Sequence, residues 1–265
     1  MTCKELAAQV KDKVKDTLNV SPYFHEYRPT LAIVSVGEDP ASEAYVRGKK
    51  KDCIEVGVRY VHTNLASNCT QSELNEAVKH VNKEYNAVIV QLPLPKHLDA
   101  SEALSYIDPW KDVDGLLEGS SFTPCTALGV FEFLKANTEL QGKHVVIINR
   151  SHLVGRPLAK LLLDADATVT ICHSKTTHIR DCTKQADIVV TAVGIPDFLD
   201  YSYVKQDAIV VDVGITKQAG KLWGDYTHTS FDDNLNITVT PVPGGVGLLT
   251  RAYLMQNVLQ AARRQ

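Results

Sequence analysis

The chain has 265 residues, a formal net charge of −3 and a pI near 6.3, with 44% hydrophobic and 22% charged residues, so it holds one large globular domain or two modest ones. That charge speaks against a general nucleic-acid binder. Gly and Pro, about a tenth of the chain, exclude collagenous and low-complexity readings, and no apolar run approaches the ~18 residues of a membrane span. The opening "MTCKELAAQVKDKVKD" is polar and helix-patterned, without the apolar stretch of a signal peptide, so the expectation is a soluble intracellular protein. "TLAIVSV" (30–36) reads as a strand ending at Gly37. A helix follows from near Pro40. "TQSELNEAVKHVNKEY" opens with Thr70 and Glu73 in capping-box spacing, and Leu74, Val78 and Val81 recur at helical period. "AVIVQ" (87–91) is a second strand, stopped by the prolines of "LPLP".

The alternation returns in "HVVII" (144–148), "TVTICH" (168–173), "DIVVTAV" (187–193) and "AIVVDV" (208–213), with helices starting near Gly155 and Thr176 and a last one over 249–262. Nearly continuous apolar strands separated by helices predict α/β architecture with parallel sheets covered on both faces. The pattern breaks between "KDVDG" (111–115) and "TPCTALG" (123–129), which places a domain boundary near Thr123. The turn-rich "TPVPGGVG" then leads the final helix back to the first lobe. No internal repeat is present.

Six cysteines (Cys3, Cys53, Cys69, Cys125, Cys172, Cys182) include no C-x-x-C pair, so reduced thiols are expected. Cys172, His173, His178 and Cys182 form one candidate zinc set, but their spacings match no common ligand pattern and no metal is expected.

"GKHVVIINRSHLVGRPLAKLL" reads as strand, tight polar turn and helix, with Pro157 in the first helical turn, and a helix N-terminus there is suited to an anion. It is not G-x-G-x-x-G, because Asn149, Ser151 and Val154 do not supply the glycines. The next strand ends in His173, Ser174 and Lys175, without the acid that binds ribose hydroxyls in NAD sites. With Arg150 this makes a positive, donor-rich corner that favours NADP over NAD; the alternative is that Arg150 and Lys175 are solvated surface charges. In "VGEDPASEAYVRGKKKD", Tyr45 and Lys49 are four apart and share one helix face. Lysine there can serve as a base or a charged donor. Gln91 ends a strand at the edge where open α/β sheets bind ligands, and Asp114 offers a carboxylate before a glycine. Taken singly, each also reads as an ordinary surface or turn residue.

Eight motifs occur in order from Val36 to Gly247: "VGEDPASEAYVRGKKK", "VQLPLP", "KDVDG", "PCT", "RSHLVGRPLA", "CHSKT", "VVDVGI" and "TPVPGGVG". Together they make the chain resemble the bifunctional methylenetetrahydrofolate dehydrogenase/methenyltetrahydrofolate cyclohydrolase family. The resemblance implies two lobes joined by long helices. One is an N-terminal α/β folate-binding catalytic domain over 1–122 and 248–265, the other a Rossmann-type NADP-binding domain over 123–247, with folate in the cleft. It implies oxidation of 5,10-methylenetetrahydrofolate with NADP and hydrolysis of the methenyl product to 10-formyltetrahydrofolate, in one-carbon metabolism that feeds purine biosynthesis. By motif position Tyr45 would stack on the aminobenzoate ring and Lys49 would be the central catalytic group. Gln91 would hydrogen-bond Lys49, and Asp114 would bind the pterin donors. Gly244 and Gly245 would admit the folate closely. Thr126, Asn149, Arg150, Ser151, His173, Ser174 and Thr250 would line the NADP site. A cytoplasmic homodimer with tetrahydrofolate substrates, and neither nucleic-acid nor membrane partners, is the corresponding expectation. A dehydrogenase without cyclohydrolase activity and a non-catalytic folate- or nucleotide-binding relative are the competing readings.

The chain departs from the family pattern in several places. It starts without the usual leading strand and "DGK"-like opening, so an edge element of the first lobe is expected to be missing. The stretch after Gly115 is shortened to "LLEGSSFTPCTALG", with Ala127 for the usual proline. Asn149 stands where glycine is common, "GGVGLLTRA" replaces "GGVGPMT-A" through Leu248, Leu249 and Arg251, and "GDYTHTSF" replaces "GDV".

Overall fold

Seven consecutive side chains of Thr30–Val36 are buried in strand β1, the centre of a three-stranded parallel sheet ordered β2-β1-β3, with β2 at Arg59–Leu65 and β3 at Ala87–Val90. The structure, a computed structural model, describes residues 1–228 and 234–264. The end of "GDYTHTSF", residues 229–231, lies outside them.

The chain divides into two units, one of Ala7–Cys125 with Arg251–Gln265, the other of Met1–Leu6 with Thr126–Thr250. In the first unit, α1 (Cys3–Val20, from Ala7 onward) and the short α2 (Pro22–Glu26) precede β1. Helix α3 (Pro40–Val56) starts where expected. The Asp39 carboxylate accepts from the Ser42 N–H at 2.7 Å, Pro40 occupies the first turn, and Gly57 ends the helix at φ 87°. Helix α4 (Gln71–Glu84) carries the expected capping box between Thr70 and Glu73. Helix α5 (Ala100–Leu104) follows β3.

Side-chain alternation divides this sheet between two cores. Leu31, Ile33, Ala87 and Ile89 pack with Val46, Cys53 and Val56 of α3 and with Leu254, Met255 and Val258 near the chain end. Ala32, Val34, Val88 and Val90 pack on the other face with Leu74, Val78 and Val81 of α4. Strand β2 was not anticipated. It is an edge strand, paired only to β1, and "RYVHTNL" is mostly polar because one side of it meets solvent.

Apart from Met1–Leu6, the second unit begins within α6 (Cys125–Asn137). Its five-stranded sheet is parallel throughout, ordered β10-β7-β6-β4-β5. The strands are β4 (His144–Ile148), β5 (Thr168–Cys172), β6 (Ile188–Thr191), β7 (Ile209–Asp212) and β10 (Thr238–Val239). Helix α7 (Gly155–Leu163) joins β4 to β5, and α8 (Ile179–Thr183), starting three residues later than expected, joins β5 to β6. A small hairpin of β8 (Thr216–Gln218) and β9 (Lys221–Trp223) lies beyond β7. Helix α9 (Val246–Ala262) starts three residues before the expected Leu249 and ends as read. It runs from the second unit into the first, so the chain's last helix packs in the N-terminal lobe.

In each sheet the first strand lies between the second and third. The crossovers therefore diverge beside β1 and β3, and again beside β4 and β6. Open α/β sheets bind ligands at the carboxyl ends of such strands.

Candidate active site

Helix α3 delivers Lys49 to the carboxyl edge of β3. Lys49 is 6% exposed, and its ammonium donates to Gln91 Oε1 at 3.3 Å and to Asp114 Oδ2 at 3.2 Å. Gln91 follows the last residue of β3. Its amide Nε2 donates to the Leu92 carbonyl at 2.8 Å, which turns Oε1 toward Lys49. Tyr45 is one turn before Lys49 on the same helix, and 44% of it is exposed.

Asp114 reaches this point through an extra bridge to the sheet. Asp112 pairs with Val88 in parallel register, and the turn that follows it carries the Asp114 carboxylate to Lys49. The loop is held from below by Asn257 of α9, which donates to the Val113 carbonyl at 2.9 Å, and by the Cys125 thiol, which donates to the same carbonyl at 3.2 Å. Complete burial pushes that thiol well above its ordinary pKa, so it acts as a neutral donor. The shortened stretch after Gly115 folds back tightly. Asp112 accepts from the Leu117 N–H at 2.8 Å, and Gly115, at φ 72°, leaves no room for a Cβ against the Pro124 backbone.

Arg251, one of the departures, lies against α3. Its guanidinium fills the space a side chain at Gly48 would need, and its Nε is 3.0 Å from Asp52 Oδ2. Lys11 Nζ is 3.4 Å from the other oxygen of the same buried carboxylate. Burial raises the Asp52 pKa against the opposing pull of Arg251 and Lys11.

In the second unit, Arg150 and Ser174 each sit two residues beyond paired strand ends, Ile148 and Cys172. The β5 turn is set by His173, whose N–H donates to Thr176 Oγ1 at 2.9 Å and whose Nδ1 accepts from the Lys175 N–H at 3.1 Å. Arg150, Ser174 and Lys175 are exposed. Asn149 ties the other turn together. Its Oδ1 accepts from Ser151 N (2.8 Å), Ser151 Oγ (2.7 Å) and Gly155 N (3.1 Å), while its Nδ2 donates to the Ala192 carbonyl at 2.7 Å. At the α7 N-terminus, read as suited to an anion, the Gly155 N–H is bonded to Asn149 and the Arg156 N–H to the Ser151 carbonyl. Gly155 is required at this point, since a Cβ would meet the Asn149 carbonyl.

Thr250 Oγ1 donates to Thr126 Oγ1 at 3.1 Å, bringing those two together, and Leu249 packs against Gly129. Gly244 and Gly245 form the turn before α9. Gly244 adopts φ 102°, and Gly245 abuts the Pro241 carbonyl. The lobe division places these two glycines in the second unit, and Lys49, Gln91 and Asp114 in the first.

Sequence reasoning did not single out two buried acids at the carboxyl edge of the second sheet. Asp225 accepts from Thr191 Oγ1 (2.8 Å), Val193 N (2.8 Å) and Ile195 N (3.0 Å); Asp212 accepts from Gly214 N and Tyr226 N, both at 2.9 Å. Burial pushes the Asp212 carboxyl up to about 6. Glycines 214 and 224 lie against these carboxylates. The glycine of "VVDVGI" and the "GD" dipeptide were the available signal. Ser35, His62 and Asn64 in the first sheet were also missed. No group of three or more His, Cys, Asp or Glu side chains that could hold a metal occurs among the described residues.

Two family models match the chain. One is the catalytic domain of tetrahydrofolate dehydrogenase/cyclohydrolase, over residues 1–114, and the other is the NAD(P)-binding domain of the same enzymes, over 124–265. The bifunctional protein FolD of Campylobacter concisus is 44% identical, across 98% of this chain and 96% of that one. The bifunctional FolD dehydrogenase/cyclohydrolase of Campylobacter jejuni superposes with a TM-score of 0.90 at 38% identity, covering 99% of this chain and 97% of that one. The Trypanosoma brucei enzyme, solved with NADP cofactor and inhibitor, gives 0.91 at 34% identity over 100% and 97%.

Proposed function

The chain belongs to the tetrahydrofolate dehydrogenase/cyclohydrolase family, and on that premise we propose that it oxidises 5,10-methylenetetrahydrofolate to the 5,10-methenyl compound with NADP and hydrolyses that product to 10-formyltetrahydrofolate. The observation that carries this reading is the buried Lys49 ammonium held between the Gln91 amide oxygen and the Asp114 carboxylate. It stands at the carboxyl edge of β3, at the first unit's topological switch point.

The hydride-donor carbon lies between two nitrogens that share its developing positive charge, so the protein mainly orients rings and excludes water in that step. Tyr45 supplies the exposed aromatic platform for the aminobenzoate ring, and Asp114 the acceptor for the pterin donors. Hydrolysis needs a group that moves a proton at the one-carbon bridge. Lys49 Nζ is placed for this, and Gln91 Oε1 fixes its position.

The second unit suits an adenine dinucleotide phosphate. Arg150 and the His173–Ser174 turn bring an exposed guanidinium, a hydroxyl and an imidazole to adjacent strand ends, and no acid ends β5. Arg150, Ser151, His173 and Ser174 would hold the 2′-phosphate end, with Thr126 and Thr250 further along the site, while Asn149 shapes the loop through its bonds to Ser151 and Gly155. Bound there, NADP supplies the hydride acceptor.

The same reading takes the protein as a cytoplasmic homodimer that delivers one-carbon units to purine biosynthesis. No helix among the described residues is long and apolar enough to cross a membrane. Sedimentation equilibrium tests the dimer.

The activity is tested by incubating 5,10-methylenetetrahydrofolate with NADP or NAD while recording reduced nucleotide and methenyl absorbance. Nucleotide reduction faster with NADP and without methenyl build-up is expected. Methenyl accumulating one-for-one with reduced nucleotide would instead indicate the dehydrogenase alone, and no reduction a non-catalytic relative.

A further inference from the structure

The residues facing α3 along the first sheet are apolar until the carboxyl edge, where they turn polar. Leu31 and Ile33 give way to Ser35 on β1, Tyr60 to His62 and Asn64 on β2, and Ala87 and Ile89 to Gln91 after β3. Ser35, His62 and Asn64 have no part in the chemistry described above. With Gln91 they line a cavity of about 320 Å³ whose other walls come from α3, the turn before it, Val36, Tyr60 and Pro93.

The three side chains form a directed hydrogen-bond chain. The Ser35 hydroxyl donates its one proton to Asn64 Oδ1 at 2.8 Å, so its 2.8 Å contact with His62 Nε2 is one in which the imidazole N–H donates. This leaves His62 Nδ1 as an acceptor and the Asn64 amide nitrogen as a donor. Ser42 Oγ, also on the cavity wall, is buried and has no partner among the described residues. Such a group is ordinarily satisfied by a bound water.

The charged residues on the lining are balanced, with Asp39 and Glu43 against Arg47 and Lys50, and Glu43 pairs with Arg47 at 3.5 Å. The cavity thus offers no net field for an ionic ligand, but it has donors and acceptors for a small neutral one. It also has a direction. His62 and Asn64 are exposed at the β2 edge, whereas Gln91, the partner of Lys49, is 8% exposed.

We propose that this cavity is the inlet chamber for the water consumed in hydrolysis, with Ser35, His62 and Asn64 positioning that water on its way to Gln91 and Lys49. The inference rests on the bifunctional activity proposed above. Oxidation requires water to be kept from the reacting carbon and hydrolysis requires one water to reach it, a conflict that a separate inlet behind Gln91 resolves. In the hydrolytic step the water oxygen bonds to the methenyl carbon. The carbon–N5 bond then breaks with its electron pair left on N5. Of the water's two protons one ends on N5 and the other is released, giving 10-formyltetrahydrofolate and one proton.

The test compares the full-length protein with Ser35→Ala, His62→Gln and the double variant His62→Leu/Asn64→Leu, whose positions are exposed and outside the apolar core. Decay of 5,10-methenyltetrahydrofolate measures hydrolysis, and initial nucleotide reduction measures oxidation. In the double variant the hydrolytic kcat is expected to fall at least tenfold and methenyl to accumulate in the coupled reaction. The dehydrogenase kcat and its KM for the methylene substrate should stay within twofold, and His62→Gln should keep most of the hydrolysis. Unchanged hydrolysis in both the double variant and Ser35→Ala overturns the inlet. A matched rise in KM for both reactions also overturns it, by making the cavity part of the folate site. A wild-type protein that oxidises but does not hydrolyse fails the bifunctional reading instead.

Discussion

Lys49 and Asp114 meet at 3.2 Å although 65 positions separate them, and Gln91 holds the same ammonium at 3.3 Å. One residue comes from a helix, one from a strand end and one from a loop bridged to the sheet. This convergence makes Lys49 a buried, positioned amine rather than a solvated surface cation.

Replacing Lys49 with Met keeps much of its apolar length and removes the amine. Hydrolysis of 5,10-methenyltetrahydrofolate should fall by at least ~10²-fold, the usual scale for losing a general acid–base group. Binding of folate and of NADP, measured by fluorescence titration, should change little. Retained turnover would remove Lys49 from the centre of the mechanism.

Arg150 is the exposed guanidinium at the end of β4, beside the Ser174 turn. Arg150→Ala should raise the KM for NADP by roughly tenfold or more, as expected for one charge-assisted phosphate contact of about 1.5–3 kcal/mol. The KM for NAD should move far less, because NAD lacks the 2′-phosphate. Equal changes for the two nucleotides would place the phosphate elsewhere.

Asp52 is buried with two cations, Arg251 and Lys11. Arg251→Met leaves that carboxylate with Lys11 alone and should cost about 2 kcal/mol, since breaking one side of a buried pair strands the remaining charge. A melting temperature lower by ~4–8 °C is the expected reading. Adding Asp52→Ala should recover most of the loss, because the stranded charge is then gone. Simple additivity of the two single changes would show that the pair is not coupled.

Partial desolvation of the ring where it lines the cavity, helped by the nearby Lys50, lowers the His62 pKa below its ordinary 6.5. An unfolded chain takes up a proton near 6.5 that the folded chain resists, so this group's contribution to stability is present above that pH. It is lost as pH falls through the folded-state value. Urea midpoints at about pH 7.5 and about pH 5 should therefore differ by less in His62→Gln than in the parent protein. An unchanged difference would mean that the imidazole is not constrained in the cavity wall.

Much of the fold was legible from patterning because strands buried on both faces must be apolar throughout. β1, β3, β4, β6 and β7 announced themselves in this way, as did the start of α3 near Pro40 and the capping box of α4 from Thr70 and Glu73, whereas the Asp39 cap of α3 was not foreseen. β2 did not, since an edge strand with a solvent face carries Arg59, His62 and Asn64 and resembles a loop. The two-residue β10 and the β8–β9 hairpin were too short to have a period.

The candidate site divides similarly. Tyr45 and Lys49 share a helix face by spacing alone, and the ordered motifs marked Gln91, Asp114 and Arg150 as residues of interest. The family resemblance anticipated the Gln91–Lys49 hydrogen bond, but that Asp114 joins it required the strand order β2-β1-β3 and the Asp112–Val88 bridge, long-range pairings that no local pattern encodes. Likewise the Asn149 loop lock, the Arg251–Asp52 contact across two helices and the Ser35–His62–Asn64 row arise from packing between distant segments. The amino-acid order by itself determined which segments must be buried and which side chains could do chemistry. Only the tertiary structure decided which of those side chains meet, because hydrogen bonds and ion pairs act over about 3 Å and depend on where the sheets bring their strand ends.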